Sequence, residues 1–158
     1  MKTKISKLLR NLNDSFQGTP WHGESLLSQL KKIDFRCVNK TLPDSNNSIA
    51  ILIQHLIHWR IFVIEKLNGN ETFDIEMNSE ADWKSIVIRS QSEWEALINE
   101  LVSTQNRIVE ILKNEKEDSF LENKTLGKTY SYDYLIEGVI KHDIYHSGQI
   151  GLLNSYLK

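Results

Sequence analysis

The segment KHDIYHSGQI, residues 141–150, sets His142, His146 and Gln149 at steps of four and three. Imidazoles at i and i+4 of a helix lie over the same surface spot, so this pair can ligate one ion. Ring stacking and back-bonding to a carbonyl are the alternatives, and spacing alone leaves them open. A helix advances about 100° per residue, so His146 lies about 40° from His142, and Leu135, Leu153 and Gln149 each about 20° from it. The two imidazoles thus occupy the centre of a stripe that Leu135 and Leu153 bury, while Asp143, Ser147 and Asn154 face elsewhere. Gly138 and Gly148 weaken the same helix, which reads as room for a neighbouring backbone to approach.

A third donor has to come from another segment. The remaining histidines are His22, His55 and His58. In SIAILIQHLIHWRIFVIEKLNG the helical projection sets His55 next to Trp59 and His58 on the polar ridge with Gln54 and Glu65. His55 is therefore the inward candidate, His58 a solvated or surface-packed residue, and His22, beside a helix start, a capping or packing residue. His55, His142 and His146 together would offer neutral nitrogen donors, which suit zinc, nickel, iron or copper and fit magnesium or calcium poorly. Zinc is the default by availability. Such a set leaves positions for water or substrate, as a reactive site requires and a closed structural site does not.

Around this set, Gln149 either orients a ligand or substrate or bonds to a neighbouring helix. Tyr145 reaches the edge of the site, and Trp59 flanks it; packing is the first reading of both, substrate contact the second. Arg60 falls inside the apolar arc of its helix and must be paired or lie at a subunit interface. Asp143 is left to support a ring nitrogen of a neighbour. No general base is identifiable, Glu24 being only a loose candidate, so the catalytic residues stay unknown. Cys37 reads as an ordinary free thiol.

The elements that must carry these residues follow from apolar periodicity. Ile5, Leu8, Leu9, Leu12 and Phe16 predict a first helix over about 3–17, broken by GTP at 18–20. HGESLLSQLKKI restarts a shorter one. Asn47 or Ser48 can cap a helix over about 48–68, ending at NGN, where Gly69 suits a left-handed position. Residues 70–90 read as irregular, anchored by Phe73 and Trp83. A further helix over about 91–115 leads into a polar connection with room for a short hairpin, and a last helix over about 132–157 has Ser131 as its cap. Four long amphipathic helices predict an all-α four-helix bundle, one domain over 1–158. The long crossover between the second and third long helices permits them to run parallel.

Composition narrows the function classes. Hydrophobic residues make up 40% and charged residues 25% of the 158, the balance of a folded domain with a real core. With a net charge of −2 and scattered Lys and Arg, there is no nucleic-acid footprint. No apolar run nears the roughly 20 residues that cross a bilayer, and the N-terminus lacks a signal-peptide apolar stretch. The single cysteine excludes an intrachain disulfide, so the expectation is a cytoplasmic protein without nucleic-acid or membrane partners.

HDIYHSGQI resembles the C-terminal helix signature of the DinB/YfiT-like superfamily, a His-x-x-x-His pair followed by Gly-Gln-Ile. SIAILIQHLIHW resembles the segment that supplies that family's third histidine. GTPWHGESLLSQL and ADWKSIVIRSQSEWEALINEL resemble the corresponding stretches of bacterial members, in the right order. The resemblance implies an up-down-down-up bundle, often a homodimer, with a divalent metal between the helices and ligands at His55, His142 and His146. It implies a small-molecule substrate and either a transferase or isomerase using a low-molecular-weight thiol, or a hydrolase. A non-catalytic bundle stabilised by its ion is the alternative.

Overall fold

The computed structural model of the chain describes residues 3–157. Five α-helices follow in order: α1 (Thr3–Phe16), α2 (Leu26–Leu30), α3 (Ile49–Leu67), α4 (Gln91–Asn114) and α5 (Tyr132–Leu157). Single 3-10 turns lie at Phe35–Cys37 and Asp118–Glu122. Among the described residues there is no strand; the expected hairpin reduces to one antiparallel bridge between Lys124 and Ser131, closed by the Thr125 N–H donating to the Tyr130 carbonyl at 2.8 Å.

Local chemistry sets the helix ends. The Ser48 hydroxyl accepts from the Ile51 N–H at 3.2 Å, deciding the cap of α3 in favour of Ser48 over Asn47. At the other end Gly69 adopts φ +84°, while Gly69 N–H donates to the Lys66 carbonyl and Asn70 N–H to that of Glu65. This is the Schellman arrangement that consumes the last free carbonyls of a helix. Ser90 caps α4 through the Glu93 N–H, and the Glu93 carboxylate reaches back to the Arg89 N–H at 2.6 Å. The N-terminus of α1 is capped from far away in sequence: Asp118 accepts from the N–H groups of Lys4 and Ile5, both at 2.9 Å.

Two apolar clusters form the core. The first joins Ile49–Ile57 of α3 to Trp94, Leu97 and Leu101 of α4 and to Ile150 and Leu153 of α5. The second joins Phe62–Leu67 of α3 to Ile108 and Leu112 of α4, Leu135–Ile140 of α5, and Ile5, Leu8 and Leu12 of α1. Each fully buried aliphatic side chain contributes roughly 1.5–3 kcal/mol. The intervening segment at 70–90 is irregular as expected, with Phe73 packed on the second cluster and Trp83 on the first.

Between the clusters lies a polar layer. Arg60 is fully buried and paired with Asp143, its Nε donating to Oδ1 at 3.2 Å. A second guanidinium nitrogen donates to Gln105 Oε1 at 2.8 Å, and Gln105 Nε2 donates to the Leu12 carbonyl at 3.0 Å. The guanidinium also sits over the Phe16 ring, 4.7 Å from its centroid. One network therefore links α1, α3, α4 and α5. Asp143 does not support a histidine ring, contrary to the expectation from sequence, because Arg60 claims both of its oxygens.

The glycines of α5 also behave differently from expectation. A Cβ at Gly138 or Gly148 would meet nothing within 4 Å, so neither admits a neighbouring backbone. Gly151 instead admits a side chain, since its Cβ would stand 3.3 Å from Gln29 Oε1. The Gln29 side chain of α2 lies along α5 there, and its Nε2 donates to the Ser147 hydroxyl at 2.8 Å.

Candidate metal centre

α3 and α5 bring the predicted histidines together at the polar layer. His142 Nε2 lies 3.0 Å from His55 Nε2 and 3.1 Å from His146 Nε2. One nitrogen from each ring falls within 4.8 Å of the others. His55 and His146 are buried and His142 is half-buried.

The outer nitrogens set the tautomers. His55 Nδ1 lies 2.9 Å from Asp82 Oδ1 and 3.1 Å from the Asp82 carbonyl. Both are acceptors, so Nδ1 carries the proton and Nε2 turns a lone pair inward. His146 Nδ1 lies 2.6 Å from Gln149 Oε1, with the same consequence for its Nε2. The central His142 Nε2 could donate to one of these lone pairs but not to both. At least one of the two close nitrogen contacts therefore has no hydrogen between its atoms, an arrangement that a shared cation relieves. Nitrogen ligands about 2.0–2.1 Å from a zinc ion in tetrahedral array stand roughly 3.3–3.4 Å apart. The two His142 contacts lie close to that spacing, while the full set, spread over up to 4.8 Å, would have to draw in around an ion. The buried His142 Nδ1 has no protein partner.

Electrostatics favours the same chemistry. Burial pushes His55 and His146 below the ordinary imidazole range. His142 falls to about 3, through burial first and then the proximity of His146 and His55. Neutral imidazoles keep the lone pairs that a metal needs.

Asp82 and Trp83 complete the surroundings, and sequence reasoning assigned a site role to neither. Asp82 Oδ1 also accepts from Trp59 Nε1 at 2.8 Å, and Oδ2 accepts from the Asn78 N–H at 2.8 Å. Trp83 stacks on His55 with ring centroids 3.8 Å apart and planes 5° from parallel. The available signal was an acid beside a tryptophan in a long non-helical segment, where loops on a rigid scaffold often carry function.

The other candidates separate clearly. Gln149 bonds to His146, as above, and its Nε2 donates to the Tyr145 hydroxyl at 3.4 Å. Tyr145 is mostly exposed, its ring centroid 4.9 Å from that of His146. Trp59 holds Asp82 and meets His142 in a T-shaped contact, 6.0 Å between ring centroids. His58 pairs with Gln54 at 3.0 Å on the polar ridge, away from the cluster. Exposed His22 stands outside it too, and Glu24, paired with Lys32, lines a different pocket from the three histidines. Cys37 is buried in its 3-10 turn.

The three histidines open on a cavity of about 500 Å³. Trp59, Phe62, Val63, Leu135 and Val139 form its apolar wall, and Gly138 lies along it, one helical turn before His142.

The model of the DinB superfamily matches residues 4–150, a span that holds the three histidines, Asp82 and Gln149. No curated protein and no solved structure matches the chain.

Proposed function

Because the chain belongs to the DinB superfamily, we propose that it is a metal-dependent enzyme, with His55, His142 and His146 as ligands and a small molecule as substrate. The reaction is S-transfer from a low-molecular-weight thiol, or hydrolysis. The observation that carries this reading is the convergence of neutral ring nitrogens within 4.8 Å of one another on the wall of a roughly 500 Å³ cavity. Zinc is the preferred ion for such donors, with nickel or iron as alternates. A divalent ion bound there lowers the pKa of a water or thiol, supplying hydroxide or thiolate near neutral pH.

The chain's own residues do the positioning. Asp82 and Gln149 hold the outer nitrogens of His55 and His146, so both rings aim inward before any ion arrives. Trp83 covers one face of His55, and the apolar wall limits water to the side where substrate enters. A non-catalytic ion that only stabilises the bundle needs no such access, so the cavity favours the enzyme.

The same reading assigns α1, α3, α4 and α5 to an up-down-down-up bundle formed by one domain over 1–158. The first half of α3 shares a cluster with the first half of α4 and the end of α5, which supports that order. A homodimer is the assembly the family resemblance implies, and Tyr145, Leu152 and Tyr156 leave an exposed apolar stripe on α5 that is compatible with it. The cytoplasm, where a lone cysteine stays reduced, is the proposed location.

Elemental analysis of tag-free protein, set beside His142→Ala, tests the site. Stoichiometric metal that disappears in the variant is expected; metal content unchanged by the substitution rules the site out. Turnover of small thiols with electrophiles, and of ester and amide substrates, with and without chelator, then tests catalysis. Turnover that persists once the metal has been removed would overturn the metal-dependent reading, and no turnover across both classes would return the protein to the structural alternative.

A further inference from the structure

The cavity beside the histidines is walled mainly by apolar and aromatic side chains, with Asn47, Asn78 and Gln149 among its neutral polar ones. Trp59, Phe62, Val63, Leu135 and Val139 supply apolar surface, and no lysine or arginine lies among its described lining residues. Asp82 carries the one carboxylate there, and both its oxygens are occupied, Oδ1 by His55 and Trp59, Oδ2 by the Asn78 N–H.

The cations beside Phe62 and in the adjacent core are already engaged. Lys128 Nζ stands over the Phe62 ring, 5.4 Å from the centroid, but binds both oxygens of Asp74 at 2.7 and 2.8 Å. Lys66 Nζ, 5.6 Å from that centroid, donates to the carbonyls of Asn70 and Glu71. Arg60 is held in the core by Asp143 and Gln105. A carboxylate or phosphate on the body of a ligand would lose its hydration without gaining a counter-ion, and that cost falls directly on affinity.

Gly138 explains how the space is kept open. It sits in α5 on the same face as His142, yet a Cβ there would touch nothing within 4 Å. Glycine in mid-helix costs stability relative to alanine, so the position gives up helix propensity without easing any contact to a neighbour. The volume it leaves borders the cavity directly above the imidazoles. Met77, Tyr134 and Tyr145, each more than half exposed, form the rim through which a ligand would pass.

We propose that this cavity binds an uncharged molecule with an aromatic or branched-alkyl body, admitted along Gly138, with a single polar donor directed at the three histidines. The proposal rests on reading the cavity as the substrate site, and it deepens that reading by assigning the cavity to the electrophile or hydrolysable substrate rather than to a thiol that carries fixed charge away from its sulfur. Its volume lies within the roughly 300–1,000 Å³ typical of small-molecule sites.

Isothermal titration calorimetry on the protein as isolated can compare 2-naphthol with 6-hydroxy-2-naphthalenesulfonate, which differ in one sulfonate remote from the hydroxyl. Measurable binding of 2-naphthol is expected, with the sulfonate weaker by about tenfold or more. Gly138→Phe should abolish 2-naphthol binding, and Gly138→Leu should weaken it. Both variants should keep the parent's helical circular dichroism, because the position has room and helical backbone. Equal or tighter binding of the sulfonate overturns the proposal, as does no binding of either probe, or affinity unmoved by both Gly138 variants. Metal content measured on the same samples keeps the two readings apart: selective naphthol binding without metal would sink the metal site and leave the pocket's specificity standing.

Discussion

Asp82 and His55 are joined twice, since the Nδ1 of His55 faces both the carboxylate and the backbone carbonyl of the same aspartate. The carboxylate is itself held by Trp59 and the Asn78 N–H, so it acts as a fixed brace. Such partners hold a metal-binding imidazole in one tautomer and orientation. Asp82→Ala is expected to weaken metal affinity by about 10- to 100-fold. Asp82→Asn should cost less, since its amide oxygen still accepts from Nδ1. Competition with a chelator of known affinity measures both. Unchanged affinity in Asp82→Ala would mean that stacking on Trp83 alone orients the ring.

Arg60 and Asp143 make a different prediction, about stability. Both are buried, and removing one partner strands the other in the core. Arg60→Met should cost about 3–5 kcal/mol in urea denaturation, and the double substitution Arg60→Met with Asp143→Leu should recover much of that loss. Gln105 and the Leu12 carbonyl stay bonded to each other in both variants. A double variant as unstable as the single one would show that the pair contributes net stability rather than register between helices.

These two pairs mark the boundary of what is legible in the sequence. Helices with a repeating apolar face are written locally, so α1, α3, α4 and α5 could be located to within a residue or two. The inward setting of His55, His142 and His146 followed from the same periodicity. Asp82 could not be found that way, because the segment at 70–90 has no period and its course depends on where Phe73 and Trp83 find the core. The partner of Asp143 was hidden for a related reason. Its facing residue comes from another helix, and only the relative height of α3 and α5 decides whether a ring or a guanidinium meets it.

Gly148 and Gly69 should respond in opposite directions to alanine. Gly148 lies within α5 with open space where a Cβ would stand. Gly148→Ala is therefore expected to stabilise the fold by roughly 0.5–1 kcal/mol. Gly69 holds φ +84° at the end of α3, where an L side chain costs about 1–2 kcal/mol. Thermal denaturation of the two variants should move the midpoint up for the first and down for the second. A rise for Gly69→Ala would mean the helix end can refold without its left-handed residue.

Asp118 ties the end of α1 to the connection before α5, and its effect should depend on pH. Its carboxylate accepts from the N–H groups of Ile5 and Lys4, which hold it below the ordinary carboxylate range. A carboxyl more acidic in the folded than in the unfolded chain adds stability above the unfolded pKa of about 3.9, and loses it as pH falls through the folded value. Asp118→Asn, a close mimic of the protonated acid, should therefore melt at a lower temperature than the parent at pH 7. The two melting temperatures should converge as the medium is acidified through the lowered folded-state pKa, where the parent's carboxylate is itself protonated. A gap that persists unchanged into acid would assign the cap to shape and hydrogen-bond count rather than to charge at the positive end of α1.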